Sequence, residues 1–437
     1  MKPPTWVGLA LGVSVFVAWA YHRIMFDPVP SDMSEGTQTA RELADIRAIE
    51  RDAIDKITLD GKPSGFYRRD AHPSAHGCVQ AWLQVNPDVD PALRHGVFAR
   101  PGRSYPVWIR FSNGLFSDDN AWDARGMAMK LMGVPGEKLL PEEREEQTQD
   151  FVMIDSPTFP VADVGEFREF FHDQVIGAPM RYFIWWNPFR WRLRELRVGL
   201  GMLFVRDARG DLVVHRGASP VALDYYSMLP YKLGPGNIKF SAMACDPAVT
   251  CRCEEWDPPV PEVRTSHYLR DALVDALTRK PRPLDPTERS GQSCEAPSNP
   301  ECRAPGGEGC EPPAARFAFR VQRQIPGANM PIEDASVTWS ERASPYVSIA
   351  EIRIPAQRFD SQGQNEFCEN LSFSPWHALP EHRPVGGLNR ARRALYATVS
   401  KARHGKNETP RHEPRGFCLR LDGTECPGPP TGGSSPP

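Results

Sequence analysis

Three side chains near the C-terminal end, Arg392, Tyr396 and Arg403, are spaced to share one face of a helix. The run from Asn389 to Arg403 contains no Gly or Pro and is rich in Ala, Arg and Leu, all good helix formers. Positions i, i+4 and i+11 fall in register because eleven residues make about three turns. A guanidinium one turn from a phenol favours the charged phenolate. A phenolate is one of the ligands that proteins offer to haem iron, and the second arginine is placed to hold a haem propionate through paired donors. The same spacing also describes an ordinary solvated basic helix face. What decides between the two is whether the rest of the chain carries an opposite half for such a site.

The first third of the chain has candidates. Arg69-Asp-Ala-His72 leads into an alternating run, His76-Gly-Cys-Val-Gln-Ala-Trp-Leu-Gln-Val85. Then come Pro106-Val-Trp-Ile-Arg-Phe-Ser-Asn-Gly114, Asp123-Ala-Arg-Gly-Met-Ala-Met-Lys-Leu131 and Gln149-Asp-Phe-Val-Met-Ile-Asp-Ser-Pro-Thr-Phe159, with Asp163-Val-Gly-Glu-Phe167 just after. Near the other end stand Pro375-Trp376, Glu381-His-Arg-Pro384 and Asn389-Arg-Ala-Arg-Arg-Ala-Leu-Tyr396. Taken in this order, the segments resemble those of the haem catalases, and more closely the small catalase-related proteins, over residues 65–280 and 314–405.

The resemblance implies a set of roles. His72 matches the distal histidine and Ser112 the serine that hydrogen-bonds it. Arg69, Arg110 and Arg403 match the arginines that bind the propionates, and Phe159 and Phe167 match aromatic residues packed near the haem. Tyr396 matches the ligand of the haem iron and Arg392 the arginine that keeps it ionised. The cofactor implied is haem b. His76 is a rival distal base, although beside Gly77 at the start of a strand it reads more readily as structural. The family carries an asparagine before the Pro-x-Phe element, where the shortest alignment places Asp155; a shift of one residue would leave the pattern intact. A carboxylate cannot donate a hydrogen bond unless protonated. An ionised Asp155 would also draw His72 toward imidazolium, which weakens it as a base and makes peroxidase chemistry easier to sustain than fast catalase turnover.

The chemistry that unites these residues is peroxide cleavage. One oxygen must lose a proton and the other gain one, which a single imidazole can do in turn. The expected activity is therefore a haem-dependent catalase or peroxidase acting on hydrogen peroxide or an organic hydroperoxide. The alternatives are a fatty-acid hydroperoxide isomerase or peroxygenase resembling allene oxide synthase, acting on lipid hydroperoxides, and a haem-binding protein without turnover. A barrel scaffold without haem is the remaining reading. By resemblance, a homo-oligomer is expected. There is no Cys-x-x-Cys-His for covalent haem attachment, no P-loop, no Gly-x-Gly-x-x-Gly and no His-Glu-x-x-His.

The elements that must position these residues are mostly strands. Strand-like runs lie near 77–86, 106–111, 126–132, 149–154, 201–205, 212–216, 237–243, 315–324 and 348–354, several of them alternating apolar and polar. Many such strands separated by turn signals predict a closed antiparallel barrel or a sandwich; the resemblance selects an α+β fold with an eight-stranded barrel. Helices are predicted at 164–173, 182–199, 267–279 and 389–403, with a helical arm over 31–65. Tyr225, Tyr226 and Tyr231 read as strand and turn residues lining the barrel, and Trp376 and His382 as packing and capping residues.

The chain has 437 residues, a net charge of −3, 45 prolines and 10 cysteines. With no long basic run, nucleic acid is not indicated. Residues 5–20 form an uncharged segment within an N-terminal stretch, 1–30, that reads as a membrane anchor or as a signal peptide cleaved after Ala18-Trp-Ala20. Either predicts a membrane-attached or exported, periplasmic or extracytoplasmic location. The haem domain is expected over 66–404, interrupted by a Cys- and Pro-rich insertion at 283–313, with a disordered tail at 405–437. Cys245, Cys251, Cys253, Cys294, Cys302, Cys310, Cys418 and Cys426 suit disulfides in an oxidising compartment, with zinc the competitor. Cys78, in a core strand, reads as a buried free thiol.

Overall fold

The computed structural model describes residues 35–61, 65–69, 71–121, 123–176, 217–246, 260–278, 313–420 and 424–425, with Cys253 and short pieces between 181 and 214. The predicted N-terminal anchor, most of the 182–199 helix and the 283–313 insertion lie outside the described residues. Among the described residues, no helix is long and apolar enough to cross a membrane.

Strands β1 (Ala75–Val85), β2 (Ser104–Asn113), β3 (Arg125–Met132) and β4 (Thr148–Ile154) form an antiparallel meander. Strands β5 (Phe204–Arg206) and β6 (Leu212–Val214) make a separate ribbon. The main sheet continues with β7 (Tyr225–Tyr226), β8 (Tyr231–Leu233), β9 (Gly236–Cys245), β10 (Ala315–Arg323) and β11 (Val347–Ile354). Pairing runs β10-β11-β1-β2-β3-β4-β7-β9, and β9 pairs back onto β10. Eight strands thus close an antiparallel barrel, with β8 added alongside β9. Closure leaves the barrel strands no open edge.

Alternation along each strand fills the barrel. In β1, Val79, Ala81, Leu83 and Val85 point into the core, where they meet Val107, Ile109 and Phe111 of β2 and Phe317, Phe319 and Val321 of β10. The interior is aromatic: Phe98, Phe151, Phe240 and Phe319 interlock at centroid separations of 5.1–6.1 Å. Burial of each such side chain is worth about 1.5–3 kcal/mol.

Helices α1 (Ala40–Asp60), α2 (Val164–Val175) and α5 (Gly387–Asn407) pack together outside the barrel. Their shared seam is read from the helical period: Ile46, Ile49, Ala53 and Ile57 on α1, Val164, Phe167 and Phe171 on α2, and Leu388, Ala391, Leu395 and Val399 on α5. Thr39 caps α1 and Asp163 caps α2, each accepting from the backbone N–H three residues on. Arg390 ties α5 to α1 through Glu42 at 2.7 Å. Helix α3 (Tyr268–Thr278) closes over the barrel core with Leu273 and Leu277. Helix α4 (Gln362–Asn370), absent from the sequence-based expectation, lies on the outer face of β1 and β2, where Phe367 and Cys368 pack with Cys78 and Trp108.

Two expectations are corrected here. Cys78 is not a free thiol; it is disulfide-bonded to Cys368. In β1 the neighbouring Val79 faces the barrel interior, so Cys78 faces outward, and it is the covering helix α4 that buries it. The described part of the 405–437 tail is ordered. Helix α5 runs to Asn407, and the chain then lies along the barrel wall, where Phe417 stacks edge-on against Trp82 and Trp108 at 5.6 Å from each. Cys245–Cys253 is a second disulfide, and Cys418 is also disulfide-bonded, in line with the expectation for those cysteines.

Candidate functional site

A cavity of about 750 Å³ of empty space, mouth included, opens between the outer side of β2–β4 and helix α5. It gathers residues from widely separated parts of the chain: Arg69, His72, Arg110 and Ser112 from the N-terminal third, Tyr396 and Arg403 from α5. Its remaining walls are largely apolar, with Met127, Val152, Phe373, Leu395 and Val399 among them.

On the barrel side, His72 ends the irregular segment before β1. Its backbone N–H donates to Gly114 O at 2.6 Å, and it adopts φ 56°, a left-handed conformation rare for residues with a side chain. The ring Nδ1 lies 3.1 Å from Ser112 Oγ. Ser112 on β2 stands opposite Gly126 on β3. A Cβ at Gly126 would come within 2.5 Å of the His72 ring and 2.9 Å of Ser112 Oγ, so the glycine makes the room in which the imidazole sits. Burial, then the positive charges of Arg110, Arg392 and Arg69, push His72 down to about 4 against a weaker opposing backbone hydrogen bond. The imidazole is neutral at pH 7 and available as a base. The rival, His76, is buried elsewhere, 3.7 Å from Asp119, and does not line the cavity.

Facing it, α5 places Arg392, Tyr396 and Arg403 as their spacing requires. Arg392 Nη2 donates to Tyr396 Oη at 3.3 Å, and its guanidinium carbon lies 5.4 Å from the Tyr396 ring centre. The other nitrogen of the fork, Nη1, donates to Tyr231 Oη at 3.3 Å and to Asn389 Oδ1 at 3.2 Å. Burial alone would lower the Arg392 pKa, but the two tyrosines raise it overall. Tyr231 was expected only as a barrel-lining residue. Its link to Tyr396 depends on β8 passing beneath α5, and no local spacing announces that.

The rim of the cavity is cationic. Arg69, Arg110 and Arg403 converge on Glu369 of α4: Arg69 Nη1 donates to Oε2 at 2.9 Å, Arg110 Nη2 to Oε1 at 3.4 Å, and Arg403 Nη1 to the main-chain oxygen at 2.6 Å. Burial first, then mutual repulsion, holds Arg69 well below the usual arginine range, and the same combination brings Arg403 to about 10. Burial would raise the Glu369 carboxyl, but the three arginines outweigh it and hold it below the carboxylate range. The sequence reading missed Glu369, together with Ser372, Phe373 and Ser400 of the cavity wall.

Besides Arg392, which backs Tyr396, three of the expected residues stand outside the cavity lining. Asp155 turns back on the barrel, where Oδ1 accepts from the backbone N–H of Arg125 at 2.8 Å. The leading influences on His72 are burial and the guanidiniums of Arg110, Arg392 and Arg69, which lower its pKa and outweigh any pull toward imidazolium. Phe159 and Phe167 meet edge-to-face at 5.5 Å in the seam between α1, α2 and α5, where they support Leu395 and Val399 from behind.

Solved structures share this architecture. A fungal catalase matches with a TM-score of 0.52 and 14% identity, covering 88% of this chain and 67% of its own. Catalase A from Saccharomyces cerevisiae matches with a TM-score of 0.51 and 14% identity, covering 87% of this chain and 68% of its own. The fold is the catalase fold. No protein-family model matches the chain, and no curated protein matches it. The catalase fold accounts for the closed barrel with helices packed outside it.

Proposed function

We propose that the protein is a haem-dependent enzyme that processes peroxides, of the catalase or peroxidase type. The observation that carries this reading is the single cavity with a neutral imidazole on one wall, an arginine-backed phenol on the other and three guanidiniums at its rim. The residues present fit haem. The apolar walls suit a porphyrin face, the rim suits two carboxylates, and the buried Nε of Arg110 has no hydrogen-bond partner. Tyr396 would ligate the iron, and Arg69, Arg110 and Arg403 would hold the propionates.

Bound haem would supply the redox chemistry of the iron. His72 takes the proton from one peroxide oxygen and delivers it to the other, which leaves as water or alcohol. Ser112 holds Nδ1 and so presents Nε2 toward the cavity. Arg392, itself fixed by Tyr231 and Asn389, keeps a positive charge beside the Tyr396 oxygen. The apolar walls exclude bulk water.

The test is a titration of the purified protein with ferric haem, followed by peroxide and an oxygen electrode. A Soret band that is lost or shifted in Tyr396→Phe is expected, with oxygen release or donor oxidation on adding peroxide. An unchanged spectrum in Tyr396→Phe removes the ligand assignment. Consumption of a fatty-acid hydroperoxide without oxygen release or donor oxidation would move the assignment to an isomerase.

A further inference from the structure

Among the described residues, Glu369 is the one acidic side chain at a rim otherwise built from arginines. Both of its carboxylate oxygens are engaged, one by Arg69 and one by Arg110. The main-chain oxygens of the same segment take further donors: Leu371 O accepts from Arg69 at 2.5 Å and from Arg403 at 3.3 Å. The segment is pinned. Cys368 is disulfide-bonded to Cys78, and Cys78 sits directly across the β1–β2 ladder from Arg110. The bridge therefore delivers the next residue, Glu369, to the Arg110 side chain. A single open N–H, that of Arg110 Nε, cannot hold both oxygens of an incoming carboxylate, which therefore competes for the Nη groups of Arg69 and Arg110 that Glu369 engages.

We propose that Glu369 is a built-in competitor for the carboxylate seat formed by Arg69, Arg110 and Arg403, held there by the Cys78–Cys368 bridge, and that a ligand's carboxylate must displace it. Glu369 thereby sets how tightly the cavity retains a carboxylate-bearing ligand. The inference rests on the cavity being a seat for such a ligand, haem in the reading above. Charge balance agrees: three guanidiniums and one glutamate leave a net charge of +2 while Glu369 stays ionised. The competition is absent for a ligand without free carboxylates.

Two measurements on the full chain test it. The first compares ferric haem with its dimethyl ester on wild type, Glu369→Gln and Glu369→Ala, read as dissociation constants from absorption. Haem should bind roughly tenfold tighter or more to both variants, the worth of a charge-assisted hydrogen bond no longer broken on binding. The ester should bind all three alike. Equal or weaker haem binding by both variants would mean that Glu369 positions the arginines rather than competing for them, and would overturn the proposal. The second measurement needs no haem: thermal unfolding in sodium acetate against sodium chloride at matched pH and ionic strength. Acetate should raise the melting temperature of Glu369→Ala and leave the wild type unchanged, because only the variant has a free seat. An equal response of both proteins, or none, overturns the seat. If wild type binds no haem but acetate selectively stabilises Glu369→Ala, the haem reading fails and the carboxylate seat stands.

Discussion

His72 combines two properties that rarely meet by chance. Its backbone is held in a left-handed conformation, and its ring is kept neutral far below the usual histidine range. The surroundings specify both: Gly114 O holds the backbone, Gly126 leaves space for the ring, and the burial and nearby guanidiniums disfavour the proton. Replacing His72 with Asn should leave haem uptake intact while slowing peroxide cleavage about 10²–10⁴-fold, the usual worth of a general acid–base group. The pH dependence follows from the direction of the shift. A base whose pKa is depressed to about 4 stays unprotonated through neutral pH, so the wild-type rate should be level from pH 8 to 5 and fall only on approaching 4. A rate that already halves near pH 6.5 would place the working base elsewhere. At this scale several motifs agreeing in order pointed to His72, Ser112 and Tyr396, which the fold brings to one cavity. The sequence misled at Asp155, where the residue type was read but the direction of its side chain, set by the Arg125 backbone, could not be.

Alternation exposed most barrel strands, because each buries one face and the period of two survives in the residues themselves. The closing pair β9–β10 was not legible, since some seventy residues separate the strands and no local pattern reports which edge meets which. Helix α4 was missed for a related reason: nine residues with few apolar positions make a weak period, and its apolar partners are Trp108 and Cys78 on distant strands. The bridge that fastens it joins residues 290 positions apart, whereas Cys245–Cys253 spans 8. Loop-closure entropy grows with the length of chain enclosed, so the long bridge restrains the unfolded chain more. Cys368→Ser should cost about 2–5 kcal/mol of unfolding free energy in denaturant titration, and Cys253→Ser distinctly less. Equal losses would show that the length of chain enclosed does not set the contribution of each bridge, and no loss in Cys368→Ser would show that α4 is held by packing alone. The same comparison reports on the rim, because α4 also carries Glu369.

The whole molecule is fastened by its C-terminal segment. Past α5 the chain crosses the barrel wall and inserts Glu413 against Lys130 of β3, whose ammonium also lies 2.7 Å from Asp150 of β4. Around this pair, His377 bonds Glu143 at 2.5 Å, Thr148 donates to Glu413 at 2.9 Å, and Arg411 bridges Glu143 and Glu413. Lys130 and Asp150 are fully buried and Glu413 nearly so. A polar segment reads as a tail because composition reports the mean environment, and here one buried charge matched by a buried lysine anchors it. Removing one partner of a buried pair leaves the other without its counter-charge, which costs about 3–5 kcal/mol. Glu413→Ala should therefore destabilise the full chain by about that amount at pH 7, the lower end being favoured because Asp150 still pairs with Lys130. Burial raises the Glu413 carboxyl, but Lys130, His377 and Arg411 outweigh it and hold it at about 2. A carboxylate with a depressed pKa stabilises the fold above its unfolded pKa, about 4.3, and loses that contribution as it becomes protonated in the folded state. Unfolding free energies of wild type and Glu413→Ala should thus differ fully near neutrality and converge as the pH falls from about 4.3 toward 2. The absence of a gap at pH 7 would mean that the segment is held by Phe417 and its aromatic partners, and that the buried charge contributes nothing to fastening it.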